Sequence, residues 1–211
     1  MTEDIKNKIK ISLHQNELSE SEYNDLIDII KNENTDSILS KLSSSVIREY
    51  LNLAAKSDHI FLFSCKIENQ IIGYALFAKK PEYLINGFSS LKYKILYDLI
   101  KKVNFIQLIN IIISFLKLDL VLLTKDNKNF IKNSLNLNLL GIKKKYQSQG
   151  IGKLFCQNII ENIYQNYFKF DLISVEAPNI SSCNFYANKL NFKLIGKKLR
   201  LFRIFFVLLK K

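Results

Sequence analysis

The spacing of apolar positions changes several times along the chain, and each change predicts an element. Residues 8–15, KIKISLHQ, alternate well enough to predict a first strand. From Ser19 the pattern becomes helical: Glu22 stands three residues later, a capping-box start, and apolar residues follow at helical spacing through 32. A second helix is expected over 37–57, SILSKLSSSVIREYLNLAAKS. At Ile60 the period shortens again. IFLFSCKI, the polar turn ENQ and IIGYALFAK predict a hairpin, which Pro81 closes.

Residues 82–133 differ in kind. They begin lysine-studded and become almost wholly apolar from Phe105 to Leu116, a length approaching a membrane span that Gln107, Asn110, Lys117 and Asp119 interrupt. Amphipathic helices packed on the body are expected here, with a peripheral membrane contact or a homodimer as the use of any apolar face left over. The last third has a clear order. LNLNLLGI (135–142) predicts a strand, and the loop KKKYQSQ follows it. A helix then carries Ile151, Phe155, Ile159 and Ile163 on one stripe. DLISVEA predicts a buried strand, PNISSCNFYANKLN a short helix started by Asn179, and FKLIGKKLRLFRIFFVLLKK a final hairpin. An antiparallel start followed by a strand–helix–strand crossover gives a mixed α/β sheet.

Composition narrows this picture. A chain of 211 residues with 48% hydrophobic and 12% aromatic content suits one domain with a packed core, and two prolines and six glycines leave few loops. Cys65, Cys156 and Cys183 are an odd count without CxxC spacing, as expected of small buried residues in a reducing, cytoplasmic setting. The first residues contain no apolar run of the secretory type, and no spacing suits a metal. The net charge is +12, and all of the excess lies late: 15 Lys/Arg face 15 Asp/Glu in residues 1–120, against 16 and 4 in 121–211. Such asymmetry suits an anionic partner, whether nucleic acid, anionic lipid or a polyphosphorylated small molecule. No nucleic-acid motif accompanies it, which argues against the first.

The loop between 143 and 153 is the place to look for that partner. A Walker A loop needs a hydroxyl residue after Gly152-Lys153, where Leu154 stands, and a glycine where Gln147 stands. The dinucleotide pattern G-x-G-x-x-G fails at Phe155. What remains is Q-x-x-G-x-G, made by Gln147, Gly150 and Gly152, opening a helix after a strand. The first turn of that helix offers unpaired N–H groups and the positive end of its dipole. Glycines let a diphosphate approach this backbone, and Lys143, Lys144, Lys145 and Lys153 add long-range attraction.

The segment LGIKKKYQSQGIGKLF resembles the acetyl-CoA-binding motif of the GNAT N-acetyltransferase superfamily. VEAPNISSCNFYANKLNFKLIG, at the right distance, is similar to the same family's strand followed by N…FY.K.GF, through Asn179, Phe185, Tyr186, Lys189, Leu190 and Phe192. The resemblance is specific over about 135–196 and does not cover 82–133. It departs at Asn191, where the family commonly has glycine; Asn is the residue that best tolerates the left-handed conformation in its place. It implies a single domain over 1–211, with an acetyl-CoA-binding core over about 134–196. The implied fold is a mixed, mostly antiparallel sheet of about seven strands flanked by helices, with a helical insertion over about 82–133 between strands 3 and 4.

The resemblance also implies direct transfer of an acetyl group from acetyl-CoA to a primary amine. Backbone groups of Leu140, Gly141 and Ile142 would hold the pantetheine arm and the thioester carbonyl. Gln147, Ser148, Gln149, Gly150, Ile151, Gly152 and Lys153 would hold the diphosphate, and Asn179 would touch the cofactor unless it only caps its helix. Tyr186 matches the family's proton donor to the leaving thiolate; packing as a core aromatic is the other use of such a residue. The general base is open among Glu176, His14, His59 and water ordered by Asn136 or Asn138, since 134–142 contains no acid. No His/Asp pairing supports Cys183 as a nucleophile. The expected acceptor is a small molecule, with an amino sugar or nucleotide-linked amino sugar favoured. Protein amines, or a non-catalytic acyl-CoA-binding regulatory module, are the alternatives.

Overall fold

The computed structural model describes residues 8–35, 37–79, 91–102, 120–166, 172–200 and 203–210. Strand β1 (Ile9–His14) leads to helix α1 (Glu20–Glu33) and, after a short 3-10 turn, to α2 (Ser44–Ala55). The hairpin β2 (Ile60–Ile67) and β3 (Gln70–Ala78) follows, then α3 (Lys92–Lys102), β4 (Leu120–Leu122) and α4 (Lys125–Lys132). The last third contains β5 (Leu135–Ile142), α5 (Ile151–Asn166), β6 (Ile173–Ala177), α6 (Ile180–Asn184), β7 (Lys193–Arg200) and β8 (Arg203–Lys210). The strands form one sheet in the order β1-β2-β3-β5-β6-β8-β7-β4. Every neighbouring pair is antiparallel except β5 and β6, which α5 connects as a crossover.

Alternation along the strands loads both faces of this sheet. Phe61, Phe63 and Cys65 of β2 point to one face and bury Ile151, Phe155, Cys156 and Ile159 of α5. Ile60 and Leu62, with Ile71, Tyr74 and Leu76 of β3, point to the other and bury Leu26, Ile29 and Ile30 of α1 and Ile47 and Leu51 of α2. Each such side chain removed from water contributes about 1.5–3 kcal/mol, so the two apolar layers fix the helices in place.

Two elements differ from expectation. The helix expected over 37–57 is a 3-10 turn at Ile38–Lys41, followed by α2. Serines make the break. Ser37 accepts from Leu39 N–H to start the turn, and Ser43 accepts from Val46 N–H to start a new helix. Within the insertion, Leu120–Leu122 is an eighth strand pairing with Lys197–Leu199 at the sheet edge. Gly196 permits this approach: a Cβ there would lie 2.7 Å from the Leu122 carbonyl oxygen. The remainder of the described insertion is helical, whereas the apolar run from Phe105 to Leu116 lies outside the described residues. Among the described residues no helix is long and apolar enough to cross a membrane.

The predicted capping box is present. Ser19 accepts from Glu22 N–H, and the Glu22 carboxylate accepts from Ser19 N–H at 2.8 Å. Glu22 also holds the Lys66 ammonium at 2.6 Å, pinning α1 to β2. Burial alone would raise the Glu22 pKa, but the bonds from Lys66 and Ser19 win and bring it from 4.5 to about 2. A depressed carboxylate stabilises the fold above its unfolded pKa. That stability is lost as pH falls from 4.5 toward 2. Lys66→Met should therefore cost about 1–2 kcal/mol at pH 7, a difference that shrinks through this acid window, as measured by denaturant unfolding at each pH.

Candidate functional site

β5 and β6 are paired only at their lower ends, Leu135 with Ile173, Asn136 with Ser174 and Leu137 with Val175. Beyond Leu137, β5 continues to Ile142 beside β3, while β6 continues to Ala177 beside β8. Two parallel strands thus part, and a cleft opens from Asn138 upward. The vertex is held by buried polar groups: Ser134 Oγ donates to Ser174 Oγ at 2.6 Å, and Asn136 Nδ2 to the same oxygen at 3.0 Å. A bulge leaves Asn138 unmatched as the register passes from Phe77–Leu137 to Leu76–Leu139. Leu139 consequently faces α1, and Leu140 faces the α5 side with Leu137.

The cleft edge of β5 has a definite phase. Lys143 N–H donates to the Ile72 carbonyl at 2.8 Å, so Gly141, two residues back, also addresses β3. Leu140 and Ile142 are out of step with it and turn their backbone groups toward the cleft. Two side-chain amides meet them there. Asn34 Nδ2 donates to the Leu140 carbonyl at 3.0 Å, and Gln147 Nε2 donates to the Ile142 carbonyl at 2.8 Å. Both N–H groups remain directed into the opening. Gly141 contributes by lacking a side chain, since a Cβ there would lie 2.6 Å from Asn34 Oδ1 and 2.7 Å from Tyr74 Cε1.

Above the cleft the loop delivers the start of α5. Ser148 and Gly150 adopt positive φ, 59° and 80°, and the first helical bond runs from Leu154 N–H to the Gly150 carbonyl. The N–H groups of Ile151, Gly152 and Lys153 precede that bond and have no acceptor among the described residues. Gly152 is not demanded by the protein itself: a Cβ there would meet Phe185 at 3.6 Å, an ordinary contact. The loop is braced from α1, with Lys144 N–H and Gln147 Nε2 both donating to the Glu33 carboxylate at 2.8 Å. Gln149 Nε2 closes on the Lys145 carbonyl at 2.7 Å. Lys143, expected among the ligand-attracting lysines, is committed elsewhere, its ammonium 2.7 Å from Asp25 and 4.0 Å from Asp28. Lys144, Lys145 and Lys153 are exposed.

The remaining candidates have definite settings. Asn179 accepts from Ser182 N–H at 2.8 Å and caps α6. After α6 the chain makes a π turn over Phe185–Lys189, and Asn191 adopts φ 60°, as expected of its place in the left-handed turn. Phe185 lies against the start of α5, while Tyr186 is buried between the rings of Phe185 and Phe192, at 5.3 and 5.8 Å. Burial, with Cys156 adding to it, pushes the Tyr186 hydroxyl pKa far above the ordinary phenol value. Glu176 is ion-paired with Lys198 of β7. His14 bonds Ser64 Oγ at 2.7 Å on β1, three strands from the cleft, and burial lowers its pKa. Cys65 and Cys156 are buried, with thiol pKa values pushed up to about 12. Among the described residues no cluster of His, Cys, Asp or Glu could hold a metal.

No protein-family model and no curated protein matches the sequence. Solved structures do. The mosquito arylalkylamine N-acetyltransferase like 5b is 12% identical, with a TM-score of 0.56 over 95% of this chain and 99% of that one. The paia N-acetyltransferase from Thermoplasma acidophilum in complex with coenzyme A is 12% identical, with a TM-score of 0.54 over 96% and 98%. The ribosomal-protein-S18-alanine N-acetyltransferase from Escherichia coli is 10% identical, with a TM-score of 0.54 over 95% and 92%. This is the GNAT acetyltransferase fold. Within it, the expected helical insertion lies between β3 and β5, and the strands that part are β5 and β6. Sequence reasoning did not find Asn34, Glu33 or Tyr74, and it named Phe185 only as part of a motif, not as a neighbour of the α5 start. Asn34 and Glu33 reach the site from more than a hundred residues away, and only the end of a predicted helix marks them.

Proposed function

We propose that the chain is one acetyltransferase unit that moves an acetyl group from acetyl-CoA to a primary amine by direct attack. The observation that carries this reading is the parting of β5 and β6 directly beneath a helix start at which Gly152 has no structural reason to be glycine. A diphosphate approaching Ser148, Gln149, Gly150, Ile151, Gly152 and Lys153 would meet three free N–H groups, the helix dipole and exposed lysines. A pantetheine arm running down the cleft edge would meet the N–H groups of Ile142 and then Leu140. Gly141 acts by leaving room, and Asn179 by setting the start of α6 beside the site. Late positive charge, with few acids to balance it, favours a polyphosphorylated ligand over a neutral one.

In the transfer, the amine nitrogen bonds to the thioester carbon, the carbon–sulfur bond breaks, and the amine proton is lost. An N–H donor at the cleft edge stabilises the oxygen on which charge develops. Tyr186 is the proposed donor to the leaving sulfur; burial keeps its phenol protonated, so it would steady the thiolate through a hydrogen bond. Glu176, near the vertex on β6, is the proposed base. The acceptor we favour is a small molecule, an amino sugar or its nucleotide conjugate. The insertion, whose α3 exposes Tyr93, Tyr97 and Ile100, is the proposed place of a homodimer or membrane-surface contact.

Thiol release from acetyl-CoA, measured across amino sugars, their nucleotide conjugates, polyamines and peptide N-termini, tests the reading. Release with an amine supports it. No release from a protein that binds coenzyme A would favour a non-catalytic acyl-CoA-binding module. Tyr186→Phe should lower kcat about tenfold with coenzyme A affinity unchanged. An unchanged kcat would remove Tyr186 from the mechanism.

A further inference from the structure

We propose that Asn34, oriented by Tyr74, is a positioning residue that makes the cleft edge of β5 selective for carbonyl groups; the inference rests on the coenzyme reading above. Asn34 closes α1, and its carboxamide is used at both ends. Its Oδ1 accepts from the Tyr74 hydroxyl at 2.9 Å, and its Nδ2 donates to the Leu140 carbonyl at 3.0 Å. Tyr74 is 1% exposed and cannot turn away, and its hydroxyl stays protonated because burial raises its pKa well above the phenol range. As the amide oxygen takes the hydroxyl proton, the NH2 end is left facing β5. A flipped carboxamide could still donate its NH2 to the Tyr74 hydroxyl oxygen, but it would set its own oxygen against the Leu140 oxygen, two acceptors with no proton between them. The Leu140 carbonyl therefore decides the orientation and Tyr74 secures it.

The consequence lies on the other atom of the same backbone segment. A free strand edge offers donors and acceptors in alternation and pairs with any extended chain. Here Asn34 occupies the Leu140 carbonyl and Gln147 the Ile142 carbonyl, so what the edge still offers is two N–H donors. Such an edge suits an arm that presents carbonyl oxygens, as the amides and thioester of acyl-pantetheine do. It disfavours a peptide strand, whose own N–H groups would have to share carbonyls that already accept from Asn34 and Gln147. The bond from Asn34 fixes the Leu140–Gly141 peptide plane, and the Leu140 N–H, on the plane before it, is steadied through the shared Leu140 Cα. Gln147 is tied to the diphosphate loop, whereas Asn34 belongs to α1. The end of the first helix thereby helps set the arm-binding edge.

Calorimetric titration of Asn34→Ala with two ligands separates this role from general support. Coenzyme A carries the pantetheine arm; adenosine 3′-phosphate 5′-diphosphate carries the diphosphate without it. Asn34→Ala should bind coenzyme A about tenfold more weakly and the armless nucleotide as the wild type does. Tyr74→Phe, which removes one oxygen, should shift the same ratio in the same direction by about threefold, and serves if Asn34→Ala does not fold. Equal weakening of both ligands, or no change in either, would overturn the role of Asn34 while leaving the coenzyme reading intact. Wild-type protein that binds neither ligand would overturn the coenzyme reading and this inference together.

Discussion

Gly150→Glu is expected to abolish measurable coenzyme A binding while the protein stays folded. At φ 80° the backbone of Gly150 is in a region that side chains occupy at a cost of about 1–2 kcal/mol, so thermal stability should drop modestly. The new side chain meets no steric conflict within the protein, since nothing lies within 4 Å of a Cβ at this position. The loss of binding must then come from the ligand side. A carboxylate about 6 Å from a diphosphate charge is worth roughly 3 kcal/mol of repulsion at an effective dielectric of about 20, or about a hundredfold in affinity. Gly150→Ala carries the same backbone cost without the charge and should keep affinity within a few-fold. Calorimetry with coenzyme A, beside a thermal melt of each variant, distinguishes the two contributions. If the glutamate variant binds like wild type, the start of α5 is not where the diphosphate lies.

This contrast between backbone and charge also explains what could be seen in the residues alone. Strand and helix periods were plain wherever an element buries one face for five residues or more, as in β2, β5 and α5. β4 was not visible because three residues inside an apolar run show no period, and its place depends on a partner, β7, far along the chain. At the site, the glycines were legible because their spacing has few other uses beside a helix start. The phase of β5 was not: LNLNLLGI marks Leu140, Gly141 and Ile142 alike, and only the ladder with β3 shows that Leu140 and Ile142 face the cleft. Lys143 illustrates a different limit. A lysine beside a glycine loop signals charge, but its partner Asp25 sits on α1, and the pair neutralises what looked available to a ligand. Asn179 reads equally as a cap and as a cofactor contact, and the structure shows the cap.

Gly141→Ala should be among the most damaging single-methyl changes in the molecule. Its Cβ would lie 2.6 Å from Asn34 Oδ1, 2.7 Å from Tyr74 Cε1 and 2.9 Å from Ile29 Cγ2. Ile29 and Tyr74 are fully packed, at 0% and 1% exposure, so neither can yield without disturbing α1 or β3. Overpacking of this kind costs about 1–3 kcal/mol, a fall in melting temperature of about 2–10 °C for a chain of this size. The soft member of the three contacts is the Asn34 carboxamide, which would be pushed off the Leu140 carbonyl. Coenzyme A affinity should therefore fall along with stability. A double-mutant cycle makes the link explicit: in an Asn34→Ala background the closest contact is gone, so adding Gly141→Ala should cost less stability than it does in wild type, and should weaken coenzyme A little further. Full additivity in both measurements would mean that Gly141 and Asn34 act separately and that the missing Cβ serves only the packing of Tyr74 and Ile29.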